Sequence, residues 1–290
     1  MRLKVTVPAT VANLGPGFDC MALAVDLGNE ITIDTEGPAG VTVEGEGADE
    51  IPADHTNLVA RAMAHLARET DKELPEMAMT CTNRIPLERG LGSSAAAVMG
   101  GLLLADRLLE TRLQSAALLE MAEALEGHVD NVAAAYHGGV VLAYREAGGT
   151  WRVERLRPAQ GLQPVLLVPE DSRVSTEEAR RVLPPQVPLE VATFNASRAA
   201  LLALALTSSP QLLREALRDR LHQGHRLRLA PASDALFRTL VVAGVPVCVA
   251  GSGPSLLAFE SDATPIQDPG QGWRIIRTRI ELRGAQLRAG

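Results

Sequence analysis

The stretch Arg89-Gly90-Leu91-Gly92-Ser93-Ser94-Ala95-Ala96-Ala97 carries the densest chemical signal in the chain. Glycines let a backbone turn tightly and approach a ligand closely. Two serines followed by alanines suit a helix start, with hydroxyls expected to cap and strong helix formers behind them. A glycine loop that opens a helix aims unpaired N–H groups and the positive end of the helix dipole at one point, where a phosphate is the natural ligand. The pattern is not the common nucleotide loop, which requires a lysine before its Ser/Thr. Nor is it the three-glycine dinucleotide pattern of a βαβ unit. On the residues alone, phosphate binding leads and a plain buried helix with a glycine entry stays open beside it.

Other groups able to do chemistry fall into four clusters. Residues 8–20 carry Asn13 and Asp19 around Gly15-Pro16-Gly17, either a small-molecule contact or an Asx-turn with a helix cap. Glu126-Gly127-His128-Val129-Asp130-Asn131-Val132 gathers two carboxylates, an imidazole and an amide where a helix ends at glycine. These polar groups face something they must bond to, or form an exposed turn. Arg180 and Arg226 carry guanidiniums able to grip a carboxylate, although on the residues alone each reads as surface charge. His222 and His225 could share a zinc ion, but no third ligand lies at suitable spacing. Gly251-Ser252-Gly253-Pro254 is a second turn-forming run.

Periodicity supplies the elements that must position these groups. Strands are expected at residues 3–8, 24–34, 40–45, 75–85, 138–145, 164–168, 245–250, 255–259 and 273–282. Helices are expected at 54–70, 113–126, 190–206, 210–221 and 232–244. Residues 91–105 hold no charge and are too apolar for a surface helix, so the glycine loop should sit on a buried support. Ser175 and Glu178 form a capping box that starts a further helix. The run from Ala147 to Gly161 looks like a domain junction.

The 290 residues are enough for two domains, and 46% hydrophobic with 22% charged residues is a globular composition. A net charge of −7 disfavours a nucleic-acid partner. Three scattered cysteines, Cys20, Cys81 and Cys248, suggest a reducing compartment rather than a disulfide framework or metal cluster. No signal-peptide core and no apolar span of membrane length are expected, so the chain is placed in the cytoplasm with no membrane partner.

Pro86-x-x-x-Gly90-Leu91-Gly92-Ser93-Ser94-Ala95-Ala96 resembles the signature of the GHMP small-molecule kinases, a family that includes galactokinases, mevalonate kinases and homoserine kinases. Segments 8–19, 126–132 and 251–255 accompany it in the order seen in the homoserine kinase branch, to which His128-x-Asp130-Asn131-Val132 also points. The resemblance implies ATP-dependent phosphorylation of the side-chain hydroxyl of L-homoserine, a step toward threonine. It implies that Arg89, Gly90, Leu91, Gly92, Ser93 and Ser94 hold the phosphates and that Asn57 lies near the adenine. Ser94 and Glu126 become the Mg2+ ligands, Glu126 being preferred to Glu120 or Glu123 because it directly precedes Gly127-His128. Thr176, Arg180 and Arg226 match the carboxylate-binding positions. Asn13, Asp19, His128 and Asn131 are left for the amino and hydroxyl groups, and Asp130 could orient the substrate or accept a proton. Asn13, Asn131 and Asp130 are the catalytic candidates. The fold implied is α+β: an N-terminal nucleotide-binding domain, residues 1–150, with a left-handed βαβ unit, and a C-terminal ferredoxin-like domain, residues 151–290. Homodimers are usual in the family. Val129 stands where a proline is usual, and Gly224-His225 where Pro-Tyr is typical; both bear on specificity. The alternatives are a GHMP kinase for another small alcohol and a silent nucleotide-binding regulator, against which the intact Ser94 and Glu126 argue.

Overall fold

The computed structural model describes residues 1–289. Strands β1 (Arg2–Ala12) and β2 (Met21–Asp34) form a long antiparallel pair. Strand β3 (Gly40–Gly45), helix α1 (Leu58–Glu69) and strand β4 (Ala78–Asn83) follow, with β3 and β4 paired in parallel across the helix. Then come α2 (Ser93–Leu108), α3 (Ser115–Glu126), α4 (Asp130–His137), β5 (Val140–Arg145) and β6 (Trp151–Leu156). The remainder comprises β7 (Gln163–Pro169), α5 (Thr176–Arg181), α6 (Leu189–Thr207), a 3-10 turn at Pro210–Leu212, α7 (Leu213–Ala216), α8 (Gln223–Leu227) and α9 (Pro231–Val242). Four short strands close the chain: β8 (Val247–Val249), β9 (Leu256–Glu260), β10 (Trp273–Arg277) and β11 (Gln286–Ala289).

These strands make two sheets. The first runs β11-β1-β2-β4-β3, with β5 pairing β2 at its Met21–Leu23 end and β6 beyond it. The second is antiparallel, in the order β10-β7-β9-β8. The sequence divides differently in places. The expected junction begins in the turn between β5 and β6, two strands of one sheet, and contains the whole of β6. The expected strand 273–282 ends at Arg277, because the next residues leave the second sheet and bond the first: Asp26 N–H donates to the Arg279 carbonyl, and Val25 bridges Ile280. The 210–221 helix breaks into the 3-10 turn, α7 and a loop. Helix α6 is long and apolar enough, by length and composition alone, to cross a membrane, a span not expected from sequence.

Helix α2 is the buried support of the glycine loop. Residues Val98, Met99, Leu102, Leu104 and Ala105 are all sealed in the core. Gly101 lets α1 close on it, since a Cβ there would lie 2.5 Å from the Val59 carbonyl oxygen. The alternation of β7 joins the two layers of core: Leu166 and Val168 face the main cluster, while Val165 and Leu167 face a second cluster with Leu227 and Leu240. A strand buried on both faces reads as a continuous apolar run, as residues 164–168 do.

Candidate active site

A cleft of about 210 Å³ opens where the glycine loop, the Asn13–Asp19 loop, the start of α4, the start of α5 and the Gly251 turn converge. Nearly every residue singled out from the sequence lines it: Asn13, Asp19, Arg89 to Ser94, Glu126, His128, Asp130, Asn131, Thr176, Arg180 and Arg226. Asn57 does not. It lines an adjoining cavity of about 380 Å³ that shares Glu88, Ser93 and Ser94 with the first. Its side chain caps α1, accepting from Val59 N–H at 2.9 Å and donating to the Pro52 carbonyl at 2.9 Å.

The loop geometry follows from its glycines. Gly90 and Gly92 both adopt left-handed φ, +70° and +71°. Gly92, not a serine, occupies the cap position of α2, and no side chain caps that helix. The expected serine cap is therefore corrected: Ser94 Oγ donates instead to the Glu126 carboxylate. The first helical bond runs from Ala96 N–H to the Gly92 carbonyl. Among the described residues, no N–H of residues 90–95 donates to protein, so a row of donors faces the cleft at the positive end of α2. Arg89 is turned elsewhere. Its guanidinium donates to the Pro169 carbonyl at 2.8 Å and the Glu170 carbonyl at 2.7 Å, fastening the loop to the end of β7.

Around this row sit the polar groups of α3 and α4. Gly127 ends α3 in left-handed conformation, as its position suggested. Burial raises the Glu126 carboxyl above its ordinary value, opposed by Ser94 and by His128. Asp130 is 1% exposed, and burial raises it also. One of its oxygens accepts from Asn131 N–H at 2.7 Å, while Oδ2 has no partner, and nor does His128 Nδ1. Buried polar atoms without partners at a cleft call for a ligand. Asn131 Oδ1 accepts from Thr10 Oγ1 at 2.8 Å. Thr10 was not singled out, although it lies within the 8–19 segment. It also touches the place a Gly92 side chain would need, and its N–H donates to the Leu91 carbonyl.

The far end of the cleft carries opposite charges already paired. Arg180 holds Asp19 through two bonds, 3.0 and 2.8 Å. Asn13 ties two loops, donating to the Gly251 carbonyl at 3.0 Å and accepting from Asp19 N–H at 3.0 Å. Arg226 is 4% exposed and donates to the same Gly251 carbonyl at 2.7 Å; its Nε has no partner. Burial lowers that guanidinium to about 10, so it stays charged at neutral pH. The Phe18 ring lies 5.9 Å from the Arg180 guanidinium and 5.3 Å from that of Arg226. No group of three or more potential His, Cys, Asp or Glu metal ligands occurs among the described residues. The arrangement can hold a polyanion at one end and a zwitterion at the other, with a hydroxyl brought between them.

Residues 57–139 match the family model described as the GHMP kinases N terminal domain. The chain is 44% identical over 265 residues to a homoserine kinase of Clavibacter michiganensis subsp. michiganensis, covering 90% of this chain and 83% of that one. It is 40% identical over 292 residues to a homoserine kinase of Streptomyces avermitilis, covering 98% and 95% of the two chains. The crystal structure of homoserine kinase from Cytophaga hutchinsonii superposes with a TM-score of 0.84 at 27% identity, covering 99% of this chain and 97% of that one.

Proposed function

The chain belongs to the homoserine kinases of the GHMP family, and from that premise we propose that it transfers the terminal phosphoryl group of ATP to the side-chain hydroxyl of L-homoserine, giving O-phospho-L-homoserine on the way to threonine. One observation carries the assignment to this site: a single cleft joins the free N–H row of residues 90–95 to the Asp19, Arg180 and Arg226 cluster. The N–H row with the α2 dipole suits the β- and γ-phosphates. The adjoining cavity, walled by Asn57, Ile51, Pro52, Leu58 and Val59, has the apolar lining an adenine needs.

Homoserine presents an ammonium and a carboxylate. Inserted at the Asp19–Arg180 pair, it gives each a new opposite partner, so opening the pair strands neither charge. Arg226 adds a second guanidinium for the carboxylate, and Thr176 stands at the start of α5 on the same wall. Asp130 Oδ2, His128 Nδ1, Asn131 and Asn13 remain to orient the ammonium and the hydroxyl. Phosphoryl transfer through a loose transition state needs mainly alignment and charge neutralisation, which this frame supplies.

Ser94 Oγ and the Glu126 carboxylate, bonded to each other beside the N–H row, are hard oxygen donors fitted to Mg2+, which takes one or two protein oxygens and completes its shell with phosphate and water. When bound there, the ion would neutralise charge on the phosphates. Cys20, Cys81 and Cys248 are all free thiols, which supports a cytoplasmic setting. We also propose a homodimer, tested by light scattering against the 30.8 kDa chain mass.

Coupled ADP release decides the matter. Release should require homoserine and should prefer it over mevalonate and hexoses. ATP binding without homoserine-dependent release, or preference for another alcohol, would overturn the assignment.

A further inference from the structure

His222 is sealed from solvent at the N-terminal edge of α8, four residues before Arg226. Its Nε2 lies 2.7 Å from the Gly15 carbonyl oxygen, and its Nδ1 lies 3.3 Å from an Arg226 guanidinium nitrogen. A carbonyl can only accept and a guanidinium can only donate. The two contacts therefore set the tautomer: the proton sits on Nε2, and Nδ1 offers its lone pair to Arg226. A doubly protonated ring would turn an N–H toward a cation and lose that bond.

The ring is itself held on every side. Its backbone N–H donates to Asp219 Oδ2 at 2.8 Å, and Asp219 also receives Asn195 Nδ2 at 2.6 Å. Phe18 packs on it with centroids 5.3 Å apart. Gly15 is locked too, because a Cβ there would lie 2.4 Å from the Leu217 carbonyl oxygen. The histidine thus links a rigid turn of the first layer to a guanidinium in the cleft. Arg226 has few other restraints: one bond to the Gly251 carbonyl, and an Nε without a partner.

We propose that His222 is a positioning residue for Arg226: its neutral imidazole, anchored on the Gly15 carbonyl, accepts from the guanidinium and fixes its aim at the carboxylate of the amino-acid substrate. This rests on the assignment of Arg226 to that carboxylate.

Two substitutions separate positioning from packing. In His222→Asn the side-chain oxygen falls where Nδ1 was and keeps the acceptor for Arg226, while the donor to Gly15 is lost. In His222→Gln the amide reaches the Nε2 position and keeps the donor to Gly15, but the acceptor is lost. A bond to a charged group predicts that His222→Gln raises KM for homoserine by about tenfold or more, with KM for ATP unchanged, and that His222→Asn stays within about threefold of wild type. Nitrogen NMR of the wild-type imidazole should show the proton on Nε2, independent of turnover. Equal effects of the two substitutions on both KM values, or a proton on Nδ1, would overturn the proposal. Absence of homoserine-dependent turnover in the wild-type protein would instead sink the substrate assignment, with the tautomer still testing the clamp.

Discussion

Asp130 puts the sharpest choice at the level of single residues. It is almost fully buried, raised by that burial, and keeps one oxygen for whatever enters the cleft. A carboxylate so placed could be an obligatory base or an orienting group. On the function proposed above, the free N–H row, Ser94 and Glu126 would address the charge that phosphoryl transfer redistributes, which leaves Asp130 the orienting role. Asp130→Asn and Asp19→Asn should each keep measurable turnover, losing less than the roughly ten-thousandfold that removal of a key chemical group costs. A greater loss in steady-state kcat from either change alone would require a base at that position. His222 gives a second expectation, in stability. Burial, opposed mainly by Asp219 and reinforced by Arg226, lowers it from 6.5 to about 4. Between those values the unfolded chain holds the proton and the folded chain does not. The fold therefore keeps its full share of stability above pH 6.5 and loses up to roughly 3 kcal/mol as pH falls toward 4. Thermal unfolding scans should show a smaller drop across that window for His222→Asn than for wild type; parallel curves would contradict it.

At the level of elements, the glycine loop can be tested against a matched control. Gly92 and Gly127 share the left-handed conformation, at +71° and +79°. A Cβ on Gly92 would lie 2.0 Å from Thr10 Oγ1, whereas one on Gly127 would meet nothing within 4 Å. Gly127→Ala should cost only the conformational penalty, about 1–2 kcal/mol, and leave KM for ATP unchanged. Gly92→Ala carries that penalty and also pushes Thr10, which holds Asn131. It should raise KM for ATP about tenfold, because the loop must shift to relieve the clash and its N–H row moves with it. Urea unfolding and ATP titration of both variants make the comparison. The same loops were the legible part of the site. Their residue types are demanded by backbone conformation and by ligand chemistry, so they stand out in sequence. Less visible were elements whose cause lies elsewhere in the molecule. Helix α4 is short, and Val129 at its cap position offers no capping side chain, so nothing local announces it. Thr10, Phe18 and His222 act through partners distant in sequence. Arg89 was expected at the phosphates for its place in the loop, yet its guanidinium donates to the carbonyls of Pro169, at the end of β7, and of Glu170 just beyond it.

Across the whole molecule, the last strand closes one edge of the first sheet. Strand β11 pairs Leu3 to Thr6 of β1, a contact between opposite ends of the chain that local pattern does not reveal. The segment before it wraps α4: Ala285 N–H donates to the Ala135 carbonyl at 2.8 Å, and Gly139 N–H donates to the Glu281 carbonyl at 2.7 Å. Gly284 sits so close that a Cβ would lie 2.2 Å from the Tyr136 carbonyl oxygen. Asp130 and Asn131 begin that helix, so the terminal clasp and the cleft share one element. Deleting residues 284–290 leaves the β1 edge unpaired, with Leu3 and Val5 beneath it, and frees the C-terminal half of α4. The shortened chain should melt about 5–15 °C lower and should associate through the open edge, since an unpaired strand is a template for another. Its kcat should fall more than its affinity for ATP, because the N–H row on α2 is untouched while the groups on α4 lose their alignment. Calorimetry, light scattering and steady-state kinetics on the two lengths check this together. A truncated protein with the melting temperature and kcat of the full chain would show that α4 is held by its own packing against β1 and β2 alone.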